Sequence, residues 1–114
     1  MPFDNHGKAI GLTAIANAAD GVGIHSADPG TGADNETSAS RLNPTFATAS
    51  GDSIATSADL TFSGDPNAGA SWFTVWEGVN RIGKGQITAG DTTFNAEGVF
   101  ILEAGTSLRI TNPS

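Results

Sequence analysis

The stretch Ala70-Ser71-Trp72-Phe73-Thr74-Val75-Trp76-Glu77-Gly78 holds both tryptophans of the chain and one of its six phenylalanines. At the strand period of two, Trp72, Thr74 and Trp76 share one face, and Phe73 and Val75 share the other. Both faces are apolar enough to bury. That places the stretch in the middle of a sheet, or between a core on one side and a partner chain on the other. The turn formers Gly64-Asp65-Pro66-Asn67 precede it and Gly78 follows it, so the strand is bounded at both ends.

The remaining sequence reads as short strands around that centre. Asp4 or Asn5 caps a helix over Lys8–Ala19, whose larger apolar residues are Ile10, Leu12 and Ile15, with Gly21 as its stop. Val22–Ser26 is a strand closed by the turn Asp28-Pro29-Gly30. Arg41–Ala47 is the next strand, with Leu42 and Phe46 on one face and Pro44 restricting it to an edge or a bulge. After a Gly51-Asp52 turn, one strand runs over Ile54–Ser63, where Leu60 and Phe62 alternate with Thr61. Val79-Asn80 leads as a hairpin into Arg81–Ile87, with a bulge at Gly83 or Gly85. A Gly90-Asp91 turn, Thr92–Phe94, the apolar strand Val99–Leu102 (with Ile101) and a last strand Ser107–Thr111 complete the chain, Leu108 and Ile110 alternating with Arg109.

Short strands at intervals near ten residues predict a mainly β fold, a compact antiparallel β-sandwich or small barrel with one short N-terminal helix. The 114 residues fit a single domain, with 1–21 as an N-terminal arm and short helix and 22–112 as the β-sandwich. The expected core or interface residues are Leu42, Phe46, Leu60, Phe62, Trp72, Phe73, Val75, Trp76, Ile101, Leu108 and Ile110. Large side chains are few, and 15 glycines with abundant Ala, Ser and Thr fill the rest. A domain of this length buries roughly 65% of its unfolded surface. A homo-oligomer, a trimer in particular, would supply further apolar burial from neighbouring copies.

A formal charge of −7 with only five scattered basic residues (Lys8, Arg41, Arg81, Lys84, Arg109) argues against nucleic acid and against membrane surfaces as partners. Without cysteine there is no disulfide framework and no thiolate metal site. Met1-Pro2-Phe3-Asp4 opens without a basic region or long apolar core, which predicts no signal peptide, and no apolar run approaches the roughly 20 residues of a membrane span.

Candidates for chemistry are sparse. His6 and His25 have no second His or Cys nearby, so no transition-metal site is expected. Asp28, Asp34 and Glu36 are acids that a calcium ion takes as ligands, but without EF-hand spacing they read as a solvated loop. Gly83-Lys84-Gly85 lacks the spacing of a phosphate loop, and Asn35-Glu36-Thr37 matches a glycosylation sequon that matters only in a secretory pathway. A Ser or Thr, a His and a carboxylate are all present, yet no nucleophile elbow assembles them. No catalytic, cofactor-binding or metal residue is therefore assigned, and no cofactor is expected.

Several motifs in order carry a resemblance: Ile24-His25-Ser26-Ala27-Asp28-Pro29, the segment Arg41 to Phe46, Ser57-Ala58-Asp59-Leu60-Thr61-Phe62, Phe73-Thr74-Val75-Trp76-Glu77-Gly78, Asn80 to Ile87, and Ala104 to Thr111. Over residues 22–112 the chain resembles a family of small tailed-bacteriophage virion proteins, tail-fibre-like or minor structural. It departs from them in a shortened helix region and in Trp76 and Lys84, which stand where the family is usually apolar or aromatic. The resemblance implies a structural part of a virion assembled in a bacterial cytoplasm, with no catalytic residues. Its partners would be other copies of itself and the phage major capsid protein or other virion proteins. Without heptads, collagen repeats or a shaft-like repetition the chain cannot reach far from a particle, so the expected role is a decoration protein on the outer head shell. A small tail-fibre or minor tail module is the alternative, and a carbohydrate-binding sandwich with Trp72 or Trp76 stacked on a sugar is a second.

Overall fold

A computed structural model describes residues 4–49, 53–87 and 92–109, and only the backbone of residues 5 and 107–109. The expected middle strand is β4 (Trp72–Glu77), which lies between β1 (Gly21–His25) and β5 (Asn80–Gln86) in a three-stranded sheet. Both pairings are antiparallel: Ile24 sits opposite Phe73 and His25 opposite Trp72, while Thr74 sits opposite Lys84. Phe73, Thr74, Val75 and Trp76 are all buried, so β4 is covered on both faces as its composition requires. Glu77 and Asn80 close the hairpin across Gly78 and Val79. Gly78 takes φ 56° at the first turn position, a left-handed conformation that glycine adopts without strain.

Two smaller antiparallel sheets complete the β structure. β2 (Ser53–Ala55) pairs with β7 (Ser107–Arg109), and β3 (Leu60–Ser63) pairs with β6 (Val99–Leu102). In the second pair Phe62 faces Phe100 and Leu60 faces Leu102 across the strands, and this side turns inward. Val22, Ile24, Phe73 and Val75 join Phe62, Phe94, Phe100 and Leu102 in one apolar cluster, with Leu42, Phe46, Leu60 and Ile82 packed half-buried against it. Phe94 and Phe100 meet at a ring separation of 5.6 Å, within the range of favourable tilted pairs. The chain is thus mainly antiparallel β, with one short helix and no closed sheet among the described residues.

Several local expectations are corrected. Arg41–Ala47 is not a strand: Leu42 and Phe46 make single bridges to Val22 and Thr56, and the intervening Pro44 has no amide to continue a ladder. Ile54–Ser63 divides into β2 and β3, because the Thr56 and Ser57 amides turn away to Thr106 O and Thr45 O. In the segment Thr92–Phe94, to which the sequence assigns no element, Thr93 makes a single bridge to Gly69. The bulge lies at Ile82, one residue before Gly83: Val75 pairs with Gly83 and Trp76 with Arg81, which leaves Ile82 between them. Ile101 is outside the core at 45% exposure, since it shares the outer face of β6 with its partner Thr61. Leu108 stands in backbone register with Ile54. Ile110 and the two predicted turns at Gly51-Asp52 and Gly90-Asp91 fall outside the described residues.

The helix α1 (Asn5–Ala18) starts earlier than its apolar spacing predicts. Asp4 occupies the N-cap but makes no side-chain capping bond; its carbonyl accepts the Lys8 amide. Gly21 is not a helix stop but the first residue of β1, and the Asp20 amide donates to Trp76 O, passing the chain directly onto the sheet. Leu12 is buried as α1 lies against β2, whereas Ile10 is 60% exposed.

Candidate functional site: a strap over the tryptophan face

Registers place Gly21, Gly23 and His25 of β1, Trp72, Thr74 and Trp76 of β4, and Arg81, Lys84 and Gln86 of β5 on one face of the central sheet. The segment from Ser26 to Arg41, without a strand of its own, passes over this face. It returns along the edge of β1, where the Thr37 amide donates to Ile24 O and Val22 and Leu42 exchange both amide bonds.

At the centre is a chain of hydrogen bonds whose direction follows from the chemistry of its ends. The carbonyl of Asp34 can only accept, so His25 Nδ1 carries the proton and donates to it at 2.8 Å. The indole of Trp76 can only donate, and Nε1–H reaches Thr74 Oγ1 at 2.6 Å. The Thr74 hydroxyl then donates to His25 Nε2 at 2.8 Å. His25 and Thr74 are completely buried, so each group in this chain is satisfied without water.

Three of the five basic residues serve the strap. Arg41 grips Glu36 with two bonds of 2.9 Å and stacks its guanidinium 3.7 Å from the centre of the Trp76 ring. The Arg41 guanidinium is pushed above its usual range by that carboxylate, which opposes the effect of its partial burial. Lys84 donates to Asp28 Oδ1 at 2.7 Å and stands 5.3 Å above the Trp72 ring. Arg81 Nη1 donates to the carbonyls of Gly30 and Gly32 at 2.8 and 3.0 Å. Gly23 makes the close approach possible: a Cβ there would lie 2.6 Å from Glu36 Oε2 and 3.1 Å from Thr74 Oγ1.

The residues weighed for chemistry in the sequence are distributed by this arrangement. His25 is a structural member of the buried chain, and His6 is exposed on α1. Asp28, Asp34 and Glu36 do not converge: Asp28 and Glu36 are each committed to a cation, and no group of three potential metal ligands occurs among the described residues. Gly83-Lys84-Gly85 is strand β5, not a phosphate loop. Asn35 of the sequon uses its amide to donate to Asp28 O, and the Thr37 hydroxyl is buried. Trp76, 6% exposed and covered by Arg41, has no ring face open to a sugar, while Trp72 is half-buried under Lys84.

Sequence reasoning missed the strap itself. The signal was present in the odd pairing of a polar Thr74 and two tryptophans on one strand face, which demands buried polar partners from elsewhere. A cleft of about 220 Å3 also opens between Phe73 and Gln86 on the sheet and the turn Glu103–Thr106. Glu103 is the one titratable side chain in its described lining. Comparison with protein-family models, with curated proteins and with solved structures finds no match for this chain.

Proposed function

We propose that the chain is a non-enzymatic structural protein of a tailed-bacteriophage virion: a decoration protein on the outside of the head shell, bound as a trimer to the major capsid protein or its neighbours. The observation that carries the reading is the closed state of the polar cluster. His25, Thr74 and Trp76 saturate one another out of reach of solvent, and Arg41, Arg81 and Lys84 are spent on holding a loop in place. Groups so committed give a fixed outer shape, which is what a clamp between capsomers needs.

The segments that carry the resemblance to virion proteins fall on β1 and its exit turn, on β3, on β4 and β5, and on the turn into β7, whereas Arg41 to Phe46 forms only single bridges. Ile10, Val79 and Ile101, exposed at 60, 89 and 45%, offer apolar groups for contact with copies or with the shell. A shell under outward pressure from packaged DNA is stabilised by every added bridging interface, and many weak contacts suffice when they repeat over a lattice.

Labelling purified particles with antibody against the chain tests the location. Copies spread in hundreds over the head support decoration; a few at the tail tip, or one band along the tail, assign it to the fibre or minor tail module; absence from the particle overturns the virion reading. Sedimentation of the purified chain tests the trimer, and a monodisperse monomer at high concentration overturns it.

A further inference from the structure

The strap is fastened to the sheet in two chemically different ways. Its return limb is held by backbone ladder bonds to β1, from Thr37 N–H to Ile24 O at 2.8 Å and between Val22 and Leu42 at 2.7 and 3.1 Å. Its tip, Asp28–Asn35, is held across the sheet by β5, through Lys84 to Asp28 and Arg81 to the carbonyls of Gly30 and Gly32. The tip is also closed on itself. Asn35 Nδ2 donates to Asp28 O at 3.1 Å, and Asp28 Oδ1 accepts the Gly30 amide at 2.9 Å. Within it only Pro29 is buried, while Asp28, Thr31, Ala33, Asp34 and Asn35 are exposed.

We propose that Asp28–Asn35 is a latch that opens as a unit, releasing Lys84 and Arg81 while residues 37–42 stay on β1, and baring the His25 imidazole. Three features produce a separately opening unit. The tip keeps its internal bonds when it lifts, so little of its own structure is lost. It forfeits one buried proline and a few polar contacts, whereas separating β4 from its neighbours exposes the whole apolar cluster. The neck bond from Ser26 N–H to Asn35 O, 2.9 Å, and the bond from His25 Nδ1–H to Asp34 O mark the break line. Because Lys84 and Asp28 are partly solvated, at 33 and 56% side-chain exposure, the fastening weakens with ionic strength. This device goes beyond the structural role proposed above and bears on it: the fixed shape is that of the closed latch, and residues 37–42 with the Thr74–Trp76 bond stay in place when the tip lifts.

Hydrogen exchange read by NMR on the full chain tests it. The Ser26 amide and the His25 Nδ1 proton are expected to exchange far faster than the amides of Phe73–Val75. Raising salt from low to about 1 M, where the screening length is about 3 Å, should accelerate them relative to β4 by about two- to fivefold, the range of an exposed ion pair. Lys84→Gln at low salt should give a similar acceleration and lose most of the salt response. The latch is overturned if the Ser26 and His25 protons exchange together with the β4 amides, if salt leaves their relative rate unchanged, or if Lys84→Gln does.

Discussion

The two faces of the central sheet are built on opposite principles. One presents Val22, Ile24, Phe73 and Val75 to Phe62, Phe100 and Leu102, and is held by non-directional burial. The other presents His25, Trp72, Thr74 and Trp76 to a loop, and is held by directed hydrogen bonds and cations over aromatic rings. The same strand, β4, serves both. An apolar face tolerates any well-shaped neighbour and so anchors the fold; a polar face favours the loop conformation that pairs His25 and covers Trp76, and so shapes the outer surface.

This contrast can be broken most severely on the apolar side. Phe73→Ala should lower stability by about 3–5 kcal/mol, seen as a fall in the denaturation midpoint with the slope unchanged. A smaller loss is expected on the polar side from Thr74→Val, which keeps the shape but leaves the Trp76 indole N–H and His25 Nε2 without partners. At about 1–3 kcal/mol for an orphaned buried group, the variant should still fold, with altered Trp fluorescence. Thr74→Ser, which restores the hydroxyl, should recover most of that loss; if Val and Ser variants are equally destabilised, the hydrogen-bond chain is not what holds this face.

The Arg41–Glu36 pair should be weaker again. A double-mutant cycle with Arg41→Met and Glu36→Gln is expected to return a coupling of about 0.2–1 kcal/mol, and Arg41→Met alone should cost more than Glu36→Gln, because it also uncovers Trp76.

The subtlest difference is in pH response. The Lys84 ammonium, and after it the Gly30 amide, hold the Asp28 carboxyl below its ordinary value of 3.8. A depressed folded-state value means that the contribution is fully present above the unfolded carboxylate pKa and is lost as pH falls through the folded one. Acid titration should therefore loosen the strap tip below about pH 4 while the amides of β3 and β6 keep their protection. In Lys84→Gln this acid step should shrink; an unchanged step would remove the pair as its cause.

Much of the architecture was legible because it is local. Alternation in Leu60-Thr61-Phe62, the apolar run of β4 and the Gly78 turn each report their own backbone state within a few residues. β1, β4, β5 and β6 accordingly lie where the pattern puts them. The residues 42–46 did not, because an apolar pair spaced for a strand face serves equally well when Leu42 and Phe46 each reach the core from an irregular segment. For Ile101 the sequence left core and interface undivided for a related reason: an apolar run does not say which side faces in until β3 supplies a polar partner, Thr61, for the outer side.

By itself, then, the sequence determined that a doubly buried strand stands at the centre of an antiparallel β fold, that turns punctuate it at short intervals, and that acid prevails over base. Only the tertiary structure decided what covers the tryptophan face. His25 meets Thr74 across 49 positions and Lys84 meets Asp28 across 56. A contact at such separation leaves no periodic trace in either segment, since its free energy comes from groups that become neighbours only after β1, β4 and β5 have paired.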